Sequence, residues 1–208
     1  MAVSQVHLRY AMGINMESHF FAMMSRMKYI ERWALMRNSQ SENISEHSLE
    51  VSMLAHGLAV LSNKRLGNHL AAEKAALIGL YHDSTEIITG DMPTPIKYYN
   101  EEIQGAFKEI EIIAATRLMN MLPADLREEY TAIFFPGTGE EYLWKLVKAA
   151  DKLSALIKCI QEEKAGNSEF SSAKESITKA LVNMKLPEVN IFMEEFIPSY
   201  YKTLDELK

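Results

Sequence analysis

The chain of 208 residues has a single cysteine, and this scarcity excludes a scaffold of internal disulfides. Long apolar runs are also missing, because polar residues interrupt every stretch well short of the about 20 residues that cross a bilayer. The first residues lack the basic segment and the apolar block of a signal peptide. These absences predict a cytoplasmic protein with no membrane-spanning segment.

Positive charge is in the minority, with 22 Lys and Arg against 28 Asp and Glu and a net charge of −6. A polymeric nucleic acid requires a basic face on its partner, so the charge argues against such a polymer. It remains compatible with a small phosphate ester, which one arginine and one metal ion can hold. The hydrophobic share of 48% and the charged share of 24% are typical of a folded globular chain, and the length favours one domain.

Strand-like alternation is scarce, and apolar residues recur at helical spacing almost everywhere. Asn43 and Glu46 have the spacing of a capping pair before the second helix. The fold predicted is all-α, a single domain of about seven or more helices. The predicted helices cover residues 20–30, 51–61, 71–88, 103–121, 143–157, 171–184 and 191–197, and the predicted breaks lie at 38–45, 91–95, 136–139 and 166–167.

The pair His82-Asp83 falls inside an apolar stretch that is predicted to be helical. An ionisable pair facing a core is costly unless something polar or charged compensates it. Adjacent helical side chains diverge by about 100°, so both can contact one object between them, and a metal ion is the natural candidate. Taken alone, the dipeptide is better explained by a capped or solvated helix end.

Two further residues extend this pattern. His47 stands four residues before Val51 on an apolar face, and Asp151 stands four residues after Val147 on another. Imidazole nitrogens and carboxylate oxygens together suit a divalent transition metal. The alternatives are a hydrogen-bonded core histidine at position 47 and a buried ion pair at position 151.

The order His47…His82-Asp83…Asp151 resembles the H…HD…D pattern of the HD-domain metal-dependent phosphohydrolases. Longer strings make the chain similar to the bacterial HD-domain 5′-deoxynucleotidases. The similarity runs from about residue 18 to the C-terminus and is looser over 122–142. We therefore expect an N-terminal extension, 1–14, followed by an HD phosphohydrolase domain, 15–208. The strings are Arg32-Trp33, Met36-Arg37-Asn38, residues 42–49, Tyr81-His82-Asp83, Glu86 and residues 89–98.

The resemblance implies hydrolysis of deoxyribonucleoside 5′-monophosphates to deoxynucleoside and phosphate, selective against ribonucleotides and 3′-phosphates. It implies a mostly helical homodimer with one divalent metal ion on His47, His82, Asp83 and Asp151. Cobalt is expected to serve in assays, and the ligand types also admit manganese, zinc, iron and nickel. The small-molecule partner is the deoxynucleoside monophosphate.

Three residues are expected to be catalytic. Glu86, four residues after His82, would orient water or protonate the leaving oxygen, Asp91 would share that proton transfer, and Arg32 would hold phosphate. A bulky Trp33 beside the C2′ carbon would exclude a ribose hydroxyl by a clash. The blander alternatives are a solvated Glu86, a loop-capping Asp91, a surface Arg32 and a core Trp33. The substrate-binding set is Arg32, Trp33, His47, Asp83, Asp91, Met92, Pro93, Thr94 and Asp151.

Two other functions remain open. One is an HD hydrolase of triphosphates, cyclic dinucleotides or guanosine tetraphosphate, and the other is a noncatalytic helical binding module. The chain has no glycine-rich phosphate loop, Rossmann fingerprint or nucleophile motif. The run Glu162-Glu163-Lys164 is interpreted as a solvated face, and Phe192 and Phe196 as part of an interface or of the core.

Overall fold

The computed structural model describes residues 17–97 and 99–207 of the chain, and it leaves the predicted extension, 1–14, outside the described residues. Within those ranges the chain forms helices and no strand, which confirms the all-α prediction. The α-helices are α1 Phe20–Met24, α2 Ile44–Arg65, α3 Ala72–Tyr81, α4 Glu86–Thr89, α5 Thr94–Lys97, α6 Glu101–Met119, α7 Arg127–Phe134, α8 Glu141–Lys164, α9 Ser171–Asn183 and α10 Pro187–Glu195. Short 3-10 helices span Met27–Tyr29, Ser168–Phe170, Ile197–Tyr201 and Leu204–Glu206.

The main core forms where α2 packs between α3 and α8, and it continues into α9 and α10. Gly79 lets α3 approach α2 closely, because a Cβ at this position would lie 2.9 Å from the Cα of Ser52. The Ser52 hydroxyl donates to the Ala76 carbonyl across the same contact, at 2.8 Å. These contacts fix α3, and therefore the residues that follow it, against α2.

A second, aromatic cluster holds the far end of α3. The ring of Phe20, fully buried, lies 5.1 Å from the ring of Tyr130 and 6.5 Å from that of Tyr81, the last residue of α3. Leu118 and Leu122 close the cluster from the end of α6. The residue after Tyr81 is His82, so this cluster anchors the backbone of a predicted ligand.

The start of α2 has the predicted capping box. The Asn43 side chain accepts hydrogen bonds from the backbone N–H groups of Ser45 and Glu46, and the Glu46 carboxylate accepts from the Asn43 N–H. An isolated bridge between Glu31 and Asn43 brings the segment 30–33 alongside this cap. His47 is therefore held in the first turns of α2, beside that segment.

Two predicted helices differ from the structure. The helix expected over 71–88 ends at Tyr81, and two 3-10-type bonds, Ser84 N–H to the Tyr81 carbonyl and Glu86 N–H to the Asp83 carbonyl, form a turn before α4. The helix expected over 20–30 is interrupted after Met24. Trp33 then lies in a turn with φ of 58° instead of near a helix end. The structure also adds α7, within 122–142, where no helix was predicted.

The interpretation of 162–164 as a solvated face is wrong for Glu162, whose side chain is 1% exposed. Its carboxylate accepts hydrogen bonds from Lys158, from the Ser39 N–H and from the Asn167 side chain. The carboxylate thus ties the loop before α2 to the end of α8. Phe192 is buried, and Phe196 stacks on it at 5.0 Å. Within the described residues, no helix combines the length and the apolar character that crossing a bilayer would take.

Candidate active site

Two imidazoles, the buried ring of His47 and the half-buried ring of His82, face each other at the point where α2, α8 and the turn after α3 meet. The rings of His47 and His82 lie 5.2 Å apart. The Nδ1 atom of His82 lies 2.8 Å from the Gly79 carbonyl oxygen, which can only accept, so this nitrogen carries the proton. The Nε2 atoms of both histidines are buried without a hydrogen-bond partner among the described residues.

Carboxylate oxygens surround these two nitrogens. Oδ2 of Asp83 lies 3.1 Å from Nε2 of His82 and 3.4 Å from Nε2 of His47, and Oδ1 of Asp151 lies 3.2 Å from Nε2 of His47. A lone pair facing a carboxylate is repulsive unless a cation lies between them. Ligand atoms about 2.1 Å from one shared ion are spaced about 3.0–3.4 Å apart at angles of 90–109°. The observed spacings therefore fit a bound metal ion.

The described residues bring His47, His82 and Asp83 together most closely, with ligand atoms all within 4.8 Å of one another. Asp151 completes the set from α8 through its contact with His47. Burial alone would raise the pKa of Asp151, but His47 and His82 outweigh it and lower the pKa to about 2. Burial would also raise the pKa of Asp83, but His82 and His47 outweigh it, with His82 contributing most, and hold that pKa well below its usual value. Both carboxylates are thus ionised and available to a cation.

Glu86 lies at the start of α4, with 9% of its surface exposed. Burial, together with the negative charges of Asp83 and Asp91, raises the pKa of Glu86 to about 10, although Arg32 and Lys97 oppose the rise. Its Oε2 atom has no hydrogen-bond partner among the described residues. Glu86 is consequently a neutral carboxylic acid at pH 7. The alternative of a solvated Glu86 does not hold.

Arg32 lies at the edge of the cluster, with 11% of its side chain exposed. One guanidinium nitrogen lies 2.7 Å from Oε2 of Glu42, and the other lies 4.0 Å from Oδ1 of Asp151. Burial alone would lower the pKa of Arg32, but the negative charges of Glu42 and of the neighbouring aspartates outweigh burial and raise the pKa above its ordinary value. Glu42 occupies only part of the guanidinium fork, so donors remain to contact an anion. The surface alternative for Arg32 does not hold.

Trp33 is fixed from several sides. Its backbone N–H donates to Oδ2 of Asp91 at 3.2 Å, and its indole Nε1–H donates to Oε2 of Glu42 at 3.1 Å. Its ring lies 5.2 Å from that of Phe170, a fully buried side chain. These contacts stabilise the left-handed backbone at position 33, which costs energy for a residue other than glycine.

Asp91 joins the Trp33 turn to the loop that follows α4. Burial raises the pKa of Asp91, against the opposing effects of Arg32 and of the Trp33 N–H. Met92 and Pro93 continue that loop and are half-buried. Thr94 begins α5, and its side chain lies outside the described residues.

The structure contains site residues that the sequence interpretation missed. Glu42, Ser154 and Phe170 contact predicted residues directly, and Glu50 accepts a hydrogen bond from Ser154. Glu42 lies within a string that carried the family resemblance, so that string contained a signal for it. Phe170 lies 137 positions from Trp33 along the chain, and no local spacing indicates their contact.

The fold is that of the HD-domain phosphohydrolases. The structure is similar to an HD-domain phosphohydrolase from Listeria innocua, with a TM-score of 0.76, 22% sequence identity and 88% of each chain covered. It is also similar to the cyanophage S-2L HD phosphohydrolase DatZ, solved with bound dA and one catalytic Zn²⁺ ion, with a TM-score of 0.61, 20% identity and coverage of 88% of this chain and 96% of that one.

The chain belongs to the YfbR-like 5′-deoxynucleotidase family, whose sequence model matches residues 19–200. It is 46% identical over 191 residues to the 5′-deoxynucleotidase VV1113 of Vibrio vulnificus, with 92% of this chain and 98% of that protein covered. It is 47% identical over 190 residues to a 5′-deoxynucleotidase of Erwinia tasmaniensis, with 91% and 96% covered. These relationships confirm the family that the motif strings predicted.

Proposed function

We propose that this protein hydrolyses deoxyribonucleoside 5′-monophosphates to deoxynucleoside and phosphate. The observation that carries the proposal is the pair of buried, unpartnered imidazole nitrogens beside Asp83 and Asp151, in a chain of this family. A noncatalytic module would have no need to gather two imidazole nitrogens and two ionised carboxylates at one point.

His47, His82, Asp83 and Asp151 would hold one divalent metal ion. When bound, this ion offsets the charge of the phosphate and lowers the pKa of a coordinated water towards neutrality. Nitrogen and oxygen ligands accept cobalt, manganese, zinc, iron or nickel, and we propose cobalt as the metal for the first assays. Loss of metal retention together with activity in Asp83→Ala would support this assignment.

Glu86 would act as the general acid. Burial and the neighbouring carboxylates raise the pKa of its carboxyl group to about 10, which favours the protonated form that can donate to the departing 5′ oxygen. Asp91 would assist this transfer or contact the sugar, because it lies within the electrostatic reach of Glu86 and anchors the Trp33 turn. Substituting Glu86 would then remove turnover while the fold and the metal ligands remain.

Arg32 would hold the phosphate. Its charge is permanent, and Glu42 holds the guanidinium at the edge of the cluster, close to Asp151. An incoming phosphate would take up the donors that Glu42 leaves free. The positive charge of Arg32, which interacts with Glu42 and Asp151 when no substrate is bound, would then also attract the phosphate dianion.

Selectivity against ribonucleotides would come from Trp33. A rigid indole beside the C2′ carbon leaves no space for a hydroxyl group, and a clash is sufficient to exclude one. The contacts of Trp33 with Asp91, Glu42 and Phe170 support this role, because a wall must be immobile to discriminate by shape. Met92, Pro93 and Thr94 would line the sugar side of the same pocket.

A cytoplasmic homodimer is part of the same proposal. The net charge of −6 is consistent with a small nucleotide as substrate and not a nucleic-acid polymer. On α6, Ile110 and Ile113 lie one turn apart and are exposed at 47% and 67%, which provides apolar surface for a second copy. Sedimentation of the protein and of Ile113→Glu would test this state.

The first experiment measures phosphate release from deoxyadenosine 5′-monophosphate, adenosine 5′-monophosphate and deoxyadenosine 3′-monophosphate. Each substrate is tested with Co²⁺, Mn²⁺, Mg²⁺ or a chelator. Release from the 5′-deoxy substrate alone, lost with the chelator, is the expected result. Equal release from the ribonucleotide would contradict the role of Trp33 and leave the metal site intact. No release with any metal would refute the proposed reaction.

A further inference from the structure

A hydrogen-bonded pair lies one helical turn behind two of the metal ligands. Glu50 follows His47 by three residues on α2, and Ser154 follows Asp151 by three residues on α8. Oγ of Ser154 lies 3.0 Å from Nδ1 of His47 and 2.6 Å from Oε2 of Glu50. His47 and Ser154 are fully buried, so water does not compete for this contact. The ligands and this pair therefore share the interface between α2 and α8.

The chemistry of the three groups fixes the direction of both hydrogen bonds. Burial raises the pKa of Glu50, and the hydrogen bond from Ser154 opposes that rise. The single hydroxyl proton of Ser154 is donated to Oε2 of Glu50, which accepts it as a carboxylate. The Ser154 oxygen is then available only as an acceptor, and Nδ1 of His47 must donate to it. The remaining nitrogen, Nε2, keeps its lone pair and faces Asp83 and Asp151.

His82 also carries its proton on Nδ1, but a backbone group and not a side chain holds it in this form. Its Nδ1–H donates to the backbone carbonyl of Gly79, an acceptor that no side-chain substitution removes. The two imidazoles are thus oriented independently, one by the backbone and one by side chains. His82 provides an internal reference for any experiment on His47.

We propose that Glu50 and Ser154 are positioning residues of the metal centre. They hold His47 in the Nδ1–H form with its Nε2 lone pair directed at the ion, and they act through His47 without touching the substrate. Partners of this kind fix the tautomer and orientation of a ligating histidine, and their loss weakens metal binding by about 10–100-fold. This inference rests on the metal centre of the proposed function.

The test uses Ser154→Ala with Ser48→Ala as the matched control. Ser48 is also buried and adjacent to His47, but its hydroxyl has no hydrogen-bond partner among the described residues. Co²⁺ affinity is measured by competition with a chromophoric chelator, without nucleotide. The Co²⁺ dissociation constant is expected to rise about 10–100-fold in Ser154→Ala and to stay within about twofold of wild type in Ser48→Ala.

A second measurement reports the tautomer directly. In metal-free protein labelled with ¹⁵N-histidine, His47 of the wild type is expected to show a protonated Nδ1 at a pH where it is neutral. Ser154→Ala is expected to shift His47 towards the Nε2–H form while His82 keeps its Nδ1–H. A purely structural role for Ser154 would change the melting temperature without this selective shift.

The outcomes separate the inference from the proposal beneath it. If the wild type binds no divalent metal, the proposed metal centre fails and the inference falls with it. If the wild type binds Co²⁺ and Ser154→Ala binds equally well with the His47 tautomer unchanged, only the inference is refuted. Should Ser154→Ala fail to fold, Glu50→Gln replaces it. The amide of glutamine can donate as well as accept, so the Ser154 hydroxyl is no longer obliged to donate to position 50. We therefore expect Co²⁺ to bind about tenfold more weakly and His47 to show a mixture of both tautomers.

Discussion

Replacing Glu86 by glutamine is expected to stabilise the metal-free protein while it removes activity. The carboxyl group is 9% exposed and lies near the negative charges of Asp83 and Asp91. Its folded-state pKa of about 10 stands far above the 4.5 of an ordinary glutamate. Glutamine has nearly the same shape and no charge to suppress, but it cannot give a proton to a leaving group. The catalytic role proposed for this residue would therefore have a cost in stability.

The sign and size follow from linkage. Below pH 4.5 Glu86 is protonated in both states and contributes no pH-dependent penalty. Between pH 4.5 and about pH 10 the unfolded chain ionises at this residue while the folded protein does not, so folding loses about 1.4 kcal/mol per pH unit. At pH 7 the penalty reaches about 3 kcal/mol. For a domain of this size, its removal would raise the melting temperature by about 6–12 °C.

Urea denaturation with a chelator present, at pH values from 5 to 8, measures the effect. Glu109→Gln is the matched control, since Glu109 is exposed on α6. The stability difference between Glu86→Gln and wild type should widen as pH rises, and the control should show no such trend. A difference that stays flat across this range would refute the conclusion that Glu86 is held protonated.

Three further substitutions probe other parts of the molecule. Trp33→Ala is expected to raise kcat/KM for ribonucleotides relative to deoxyribonucleotides, and an unchanged ratio would place the discrimination elsewhere. Arg32→Ala should remove most activity and destabilise the fold by roughly 3 kcal/mol, because Glu42 keeps a nearly buried charge without its cation; urea stability equal to wild type would contradict this. Gly79→Ala should cost about 1–3 kcal/mol, since the new Cβ would meet the Ser52 backbone at 2.9 Å. An unchanged melting temperature would show that α3 shifts freely.

Most of the fold was open to prediction from local pattern. The 3.6-residue periodicity located α2, α6, α8 and α9 because each buries a continuous apolar stripe. Asn43 and Glu46 marked the start of α2 because their capping bonds are local. His47 and Asp151 were recognisable because each interrupts an apolar stripe with a polar side chain. Periodicity therefore located both helices and the two proposed ligands that lie within them.

The turn after α3 was not predictable in this way. No proline or glycine lies between Tyr81 and Ile88 to end the helix, and the apolar pattern continues to Ile88. The helix ends because the His82 ring bonds to the Gly79 carbonyl and because Tyr81 is held in the aromatic cluster, both of which depend on the folded structure. Glu86 consequently reaches the site from a new helix, although the sequence placed it one turn along the same one.

Glu162 and Trp33 show a second limit. A glutamate in a charged run is usually solvated. Glu162 is buried because Lys158, the Ser39 N–H and the Asn167 side chain donate hydrogen bonds to it, and the last two come from segments outside α8. A tryptophan with positive φ has no sequence signature, because Asp91, Glu42 and Phe170 come from distant segments. Contacts of this kind are decided by tertiary packing and not by spacing.

The charge balance of the site links these observations. Asp83, Asp151 and Asp91 surround a space in which Arg32 is the buried guanidinium, and Glu42 already neutralises part of it. The metal-free protein limits this excess of negative charge by keeping a proton on Glu86. A divalent cation among the ligands would relieve the same excess, so it would lower the pKa of Glu86 towards the range that suits a proton donor near pH 7. In the proposed mechanism, metal binding would therefore prepare Glu86 to act as the general acid.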